Sequence, residues 1–147
     1  MKKIVFVVST PFTAKAFLEN HFEKLSEFYE VYLVANLNAK ELPNYSHPKL
    51  TSIKHIAIER KINIIHDAKA LWETTKYFKQ MQFDAVICFT PKAGLIGITA
   101  SNIAGVKNRI HFFTGQVWHT KKGIFKVFLK LLDKMVVALS TKIIVDG

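Results

Sequence analysis

The stretch Asp84–Gly123, DAVICFTPKAGLIGITASNIAGVKNRIHFFTGQVWHTKKG, decides the fold. Asp84–Phe89 is an apolar run of strand length, and Thr90-Pro91 closes it with residue types that open helices. Ala93–Ala104 reads as a helix of small residues, stopped by Gly105 in the C′ position. Arg109–Phe113 is a second strand, followed by a polar loop carrying Thr114, Gly115, Gln116, Trp118 and His119. In a doubly wound sheet, ligands lie beyond the carboxyl ends of the strands. Both polar stretches fall at such ends, and a loop holding Trp, Gln and His beside Lys121-Lys122 points to a site.

Outward from this segment the same alternation continues. Lys3–Val8 is a continuous β-branched run, as expected of a strand buried on both faces. A helix is expected over Thr13–Glu27, with Phe17, Leu18, Phe22 and Leu25 as its apolar stripe. Glu30–Asn36 is a strand, and a loop rich in Pro, Asn and His over Leu37–Leu50 leads to another near Thr51–Ile58. His66–Gln82 is helical, Lys122–Leu139 is helical, and Lys142–Val145 is a last strand. Strands alternating with helices predict an α/β fold: three αβα layers around a mainly parallel sheet of about six strands, in one domain over 1–147.

Composition and motifs narrow the function by exclusion. Half of the 147 residues are hydrophobic and 22% are charged, which excludes a disordered chain. The single cysteine, Cys88, sits in an apolar run and reads as a small core residue. The apolar run after Lys2-Lys3 is short for a secretory leader and breaks at Ser9-Thr10-Pro11, so a reducing, cytoplasmic setting is expected. The turn Ser9–Thr13 has no glycine, so the GxGxxG dinucleotide fingerprint is missing. No P-loop, no GxSxG elbow and no metal-ligand spacing occurs. Charge is uneven: residues 1–84 hold twelve Lys/Arg against nine Asp/Glu, and residues 85–147 hold nine against two. Such an excess fits anionic partners, or a basic protein that is simply soluble.

The run FDAVICFTPKAGLIGITASNIAGVKNRIHFFTGQVW resembles the amino-terminal domain of GT-B glycosyltransferases, in particular family 4 enzymes of bacterial capsule and O-antigen polysaccharide synthesis. Asp84, Pro91, Lys92, Ala93, Gly94, Leu95, Gly97, Ala104, Gly105, Val106, Thr114 and Gly115 fall in register with the pattern of that family. The resemblance implies a Rossmann-like domain forming one half of a GT-B fold, the half that grips the acceptor. The half that binds the nucleotide sugar is expected to lie outside this chain, which ends just after the strand-like KIIV run. It implies metal-independent transfer with retention of configuration, no cofactor, and a polyprenyl-diphosphate-linked saccharide as acceptor. Two positions depart from the pattern: Ser9–Thr13 replaces a glycine-rich first turn, and Thr114 stands where relatives carry the histidine of an His-Gly pair. A threonine hydroxyl can hydrogen-bond a sugar but is no base near neutral pH.

Thr114 and His119 are therefore the candidate catalytic residues, His119 being the nearest loop imidazole. Thr10, Thr90, Lys92, Gly94, Gly115, Gln116, Trp118 and Lys121 are the candidate substrate-binding residues. The competing readings are structural: Thr90 as an ordinary N-cap, Gly94 and Gly97 as packing glycines, His111 as a core histidine. In the last helix, Lys122, Lys126, Lys130 and Lys134 recur every four residues beside an apolar circumference, the pattern of a helix lying on an anionic membrane, here the inner face of the plasma membrane. The same face would also suit a second domain. A non-catalytic subunit that recruits a transferase to the membrane is the alternative function. A basic nucleic-acid-binding domain is a weaker one, because no recognised module interleaves the basic residues with aromatics.

Overall fold

The computed structural model describes residues 1–38, 44–113 and 122–145. The apolar run near the start forms β1 (Lys2–Val7), whose alternate side chains go to opposite faces. Val5 and Val7 point into one core, and Ile4 and Phe6 into the other. After β1 come α1 (Pro11–Phe17), α2 (Glu19–Leu25), β2 (Tyr29–Ala35), β3 (Ser52–His55), α3 (Ile64–Met81), β4 (Ala85–Phe89), α4 (Pro91–Ile103), β5 (Asn108–Phe113), α5 (Gly123–Leu139) and β6 (Lys142–Val145). The six strands form one sheet in the order β3-β2-β1-β4-β5-β6, and every neighbouring pair is parallel. The expected three-layer α/β sandwich is what the chain adopts. One core joins the sheet to α3, α4 and α5, and the other joins it to α1 and α2.

Local chemistry explains where the elements depart from the sequence reading. The single helix expected over Thr13–Glu27 is two short helices, with Leu18 between them at φ −113°. Leu18 is wholly buried, so the chain bends to drive that side chain into the core. Phe17, expected on the apolar stripe, is 68% exposed instead. Helix α3 begins two residues before the expected His66 because the Asn63 side chain accepts the His66 N–H at 3.1 Å. The Asp67 carboxylate returns the favour, accepting the Asn63 N–H at 3.3 Å. Ile64 and Ile65, exposed in the first turn, carry no periodic signal that would place them in a helix.

The small residues of α4 let it approach the sheet closely. A Cβ on Gly94 would collide with the imidazole of His111 on β5, and one on Gly97 would collide with the Cys88 sulfur on β4. Val106 follows Gly105, whose φ of +79° turns the chain out of the helix. The His111 ring is only 2% exposed, and Nδ1 has no hydrogen-bond partner among the described residues. Burial lowers its pKa from 6.5 to about 4, partly opposed by the neighbouring Cys88 backbone. Burial likewise pushes the Cys88 thiol up, so it stays a protonated core group.

Because His111 remains neutral in the folded chain while the unfolded imidazole protonates near pH 6.5, its contribution is fully present above that pH and lost as pH falls toward about 4. Urea titrations at pH 7 and pH 4.5 are expected to show a loss of up to about 3 kcal/mol from this group. A His111→Asn variant should flatten that slope; an unchanged slope would remove His111 as its source.

Candidate functional site at the sheet switch point

Strands β1 and β4 are neighbours, yet the chain leaves them in opposite directions, β1 toward β2 and β4 toward β5. In sheets of this kind such a divergence is where a ligand crevice is expected, here between the turns that follow the two strands, Ser9-Thr10 and Thr90. The two turns are joined there by a hydrogen bond of 3.0 Å between Ser9 Oγ and Thr90 Oγ1. The Ser9 carbonyl accepts the Asn36 N–H at 3.2 Å, which ties the end of β2 to the same edge.

Two features of the crevice are unfavourable for stability. Thr10 Oγ1 is buried and has no hydrogen-bond partner among the described residues, although Thr10 occupies the N-cap of α1. An unmet buried hydroxyl costs roughly 1–3 kcal/mol. Thr90 adopts φ 77° and ψ 149°, a region that a β-branched residue enters only under strain of roughly 1–3 kcal/mol. Its carbonyl still starts α4, accepting the Gly94 N–H at 2.9 Å. Backbone strain and an orphan hydroxyl thus both fall at the switch point.

Lys92 has a different role from an open anion contact. Its side chain is buried, and Nζ donates to Asp67 Oδ2 at 2.7 Å and to the Lys61 carbonyl at 2.8 Å. One ammonium thus ties the start of α4 to the first turn of α3 and to the loop before it. Gly94 is packed beneath the His111 ring, as its missing Cβ requires. Thr114, Gly115, Gln116, Trp118, His119 and Lys121 lie outside the described residues. The described part of β5 ends at Phe113, on the carboxyl edge of the sheet beside β4. Among the described residues, no three His, Cys, Asp or Glu side chains gather to hold a metal ion.

Beside the crevice runs an apolar groove of about 530 Å³ between α3 and α5. Ile62 and Ile64 form one wall, Phe125 and Phe128 the other, and Arg60 and Lys61 stand at its rim. Lys122, Lys130 and Lys134 are exposed on α5 and Lys126 is half-buried. No helix among the described residues is long and apolar enough to cross a membrane. Sequence reasoning missed Ser9, Asp67 and this groove. The Asn63-to-Asp67 spacing was the only available signal for Asp67, and the groove joins residues about sixty positions apart.

No family model matches the chain. It is 33% identical over 116 residues to the capsular polysaccharide biosynthesis glycosyltransferase CapM of Staphylococcus aureus, spanning 78% of this chain and 29% of that protein. The fold matches MurG of Acinetobacter baumannii with a TM-score of 0.66 and 16% identity, over 99% of this chain and 41% of that one. It also matches the UDP-GlcNAc 2-epimerase of Methanocaldococcus jannaschii with a TM-score of 0.62 and 14% identity, over 100% of this chain and 40% of that one. These likenesses establish the Rossmann-like architecture. The chain spans less than half the length of each of these proteins.

Two predictions test the crevice. Thr90→Ala keeps the unfavourable φ and loses the Ser9 contact, whereas Thr90→Gly relieves the strain. Gly is therefore expected to be more stable than Ala here by about 1 kcal/mol in denaturant unfolding, the reverse of their usual order. Lys92→Met leaves Asp67 without its partner and is expected to cost about 2 kcal/mol, with Lys92→Arg recovering part of it in thermal melts. A Met variant as stable as the parent would show the pair to be dispensable.

Proposed function

We propose that this chain is the acceptor-binding half of a retaining glycosyltransferase, which moves a sugar from a nucleotide-sugar donor to a lipid-linked polysaccharide precursor. The observation that carries this reading is the 33% identity to CapM over 116 residues, since that protein is named as a glycosyltransferase of capsular polysaccharide synthesis. The strained crevice at the switch point supports it, because Thr10, Thr90 and Ser9 offer hydroxyls where such sheets bind ligands. A second domain holds the nucleotide sugar, and the two face each other across a cleft.

In the proposed reaction, the acceptor hydroxyl attacks the anomeric carbon on the face from which the donor diphosphate departs. The new glycosidic C–O bond forms as the bond to the diphosphate breaks, and the hydroxyl proton passes to the leaving phosphate oxygen. This chemistry depends on placement and on charge stabilisation more than on a strong base. Thr114 and His119 are assigned to the reacting end, with Thr10, Thr90, Gln116 and Trp118 holding the acceptor. Lys92 acts by positioning the α3 and α4 termini, and Lys121 and Gly115 flank the diphosphate. The reaction requires no metal and no other cofactor, and nucleic acid is not a partner. The acceptor is a polyprenyl-diphosphate-linked saccharide, met on the cytoplasmic face of the membrane.

Supplied with a nucleotide-sugar-binding second domain, the chain is expected to transfer a radiolabelled hexose or N-acetylhexosamine to a polyprenyl-diphosphate acceptor. Alone it should show no turnover. Thr10→Ala and Thr90→Ala should each lower kcat/KM about tenfold, the loss typical of one transition-state hydrogen bond. Full activity in every alanine variant of Thr10, Thr90, Thr114, Gln116 and His119 would defeat the site assignment.

A further inference from the structure

The exposed apolar side chains of this protein are concentrated on two elements that face each other. On α3 and the residue before its cap, Ile62, Ile64, Ile65 and Trp72 are exposed, Ile64 by 83%. On α5, Ile124, Val127 and Leu131 are exposed, Ile124 by 89%, and Phe125 and Phe128 line the groove. Ile62 and Ile64 stand opposite Phe125 and Phe128, so the groove joins the two sets across its width. Side chains this large are rarely left in water together unless something covers them.

Charge selects the cover. Arg60 and Lys61 stand at the groove rim, Lys69 and Lys76 lie along α3, and Lys122 and Lys134 lie along α5. Lys76 Nζ sits 5.2 Å from the Trp72 ring centroid, and Lys69 pairs with Glu73 at 3.9 Å. Other acids near this face are Glu59, beside His66 at 3.2 Å, Asp67, held by Lys92 at 2.7 Å, and Asp133 on the groove lining. The balance is basic, with the cations flanking an apolar centre. A protein partner would need matching acids around an apolar core, whereas an anionic bilayer presents both layers in this order.

We infer that α3 and α5 together form a membrane-docking face, in which Ile64, Ile65, Trp72, Ile124 and Val127 enter the interfacial layer of an anionic bilayer and the flanking cations meet its headgroups. The inference extends the lipid-linked acceptor reading by naming the surface that brings the crevice to the membrane. Its binding test uses neither donor nor acceptor, so its failure leaves the transferase reading to its own assay.

The test is co-sedimentation of the 147-residue chain with vesicles of phosphatidylcholine, with and without one-third phosphatidylglycerol. Binding is expected only with the anionic lipid. Ile64→Glu/Ile65→Glu and Ile124→Glu/Val127→Glu should each weaken it about tenfold or more, since each pair removes apolar insertion and adds like charge. Lys15→Gln/Lys24→Gln, an equal change of charge on the opposite layer, should leave binding within about twofold. In a Trp118→Phe background, Trp72 emission should shift to the blue with vesicles and be quenched by brominated lipid, a readout that needs no apolar-to-charged substitution. Circular dichroism confirms that the variants are folded. Equal loss from the Lys15/Lys24 pair would overturn the inference in favour of bulk charge. Loss from the α5 pair alone would overturn the two-helix footprint. A vesicle-independent dimer abolished by the glutamate pairs would assign the face to a second copy.

Discussion

The parallel pairing of Ile4–Val7 with Ala85–Cys88 is the constraint on which the remaining structure depends. These two strands lie at the middle of the sheet and are covered on both faces, so their side chains must be apolar in both directions. Once they pair, the chain has nowhere to go from their carboxyl ends except outward to either side. The position of the switch point between Ser9-Thr10 and Thr90 therefore follows from the strand order. The paired hydroxyls of Ser9 and Thr90, the strained φ of Thr90 and the unmet hydroxyl of Thr10 all lie at that position.

The layered fold was legible because it rests on patterns that are local in sequence. β1, β2 and β4 each contain an unbroken apolar run, Ile4–Val7, Val31–Ala35 and Ala85–Phe89, and α4 carries its own start and stop in Pro91 and Gly105. What escaped the sequence depended on partners far away along the chain. The bend at Leu18 follows from the depth of one core pocket, which periodicity does not record. Lys92 was expected to contact substrate because it opens a helix within the run that resembles the glycosyltransferase pattern. Its ammonium instead turns inward, toward an Asp67 twenty-five residues earlier. The residues of the loop after Phe113 that carried the sequence argument fall outside the described residues.

Favourable and unfavourable contributions to stability lie side by side at this edge. Thr10 has a buried hydroxyl without a partner among the described residues and Thr90 is strained, while Lys92, two residues after Thr90, ties the start of α4 to Asp67 and to the Lys61 carbonyl. The well-paired Lys92 helps hold the surrounding backbone, which lets a strained residue persist beside it.

The meshing of α4 with the sheet has a mechanical consequence. His111 fills the space left by Gly94, and Cys88 fills the space left by Gly97, so the helix is keyed to β4 and β5 at two successive turns. A helix held in this way cannot slide along its axis or roll without lifting off both keys at once. Strands β4 and β5 with α4 therefore move as one piece. In an enzyme that closes by swinging two lobes together, such a piece would act as the anvil, and all bending would have to be absorbed at its margins.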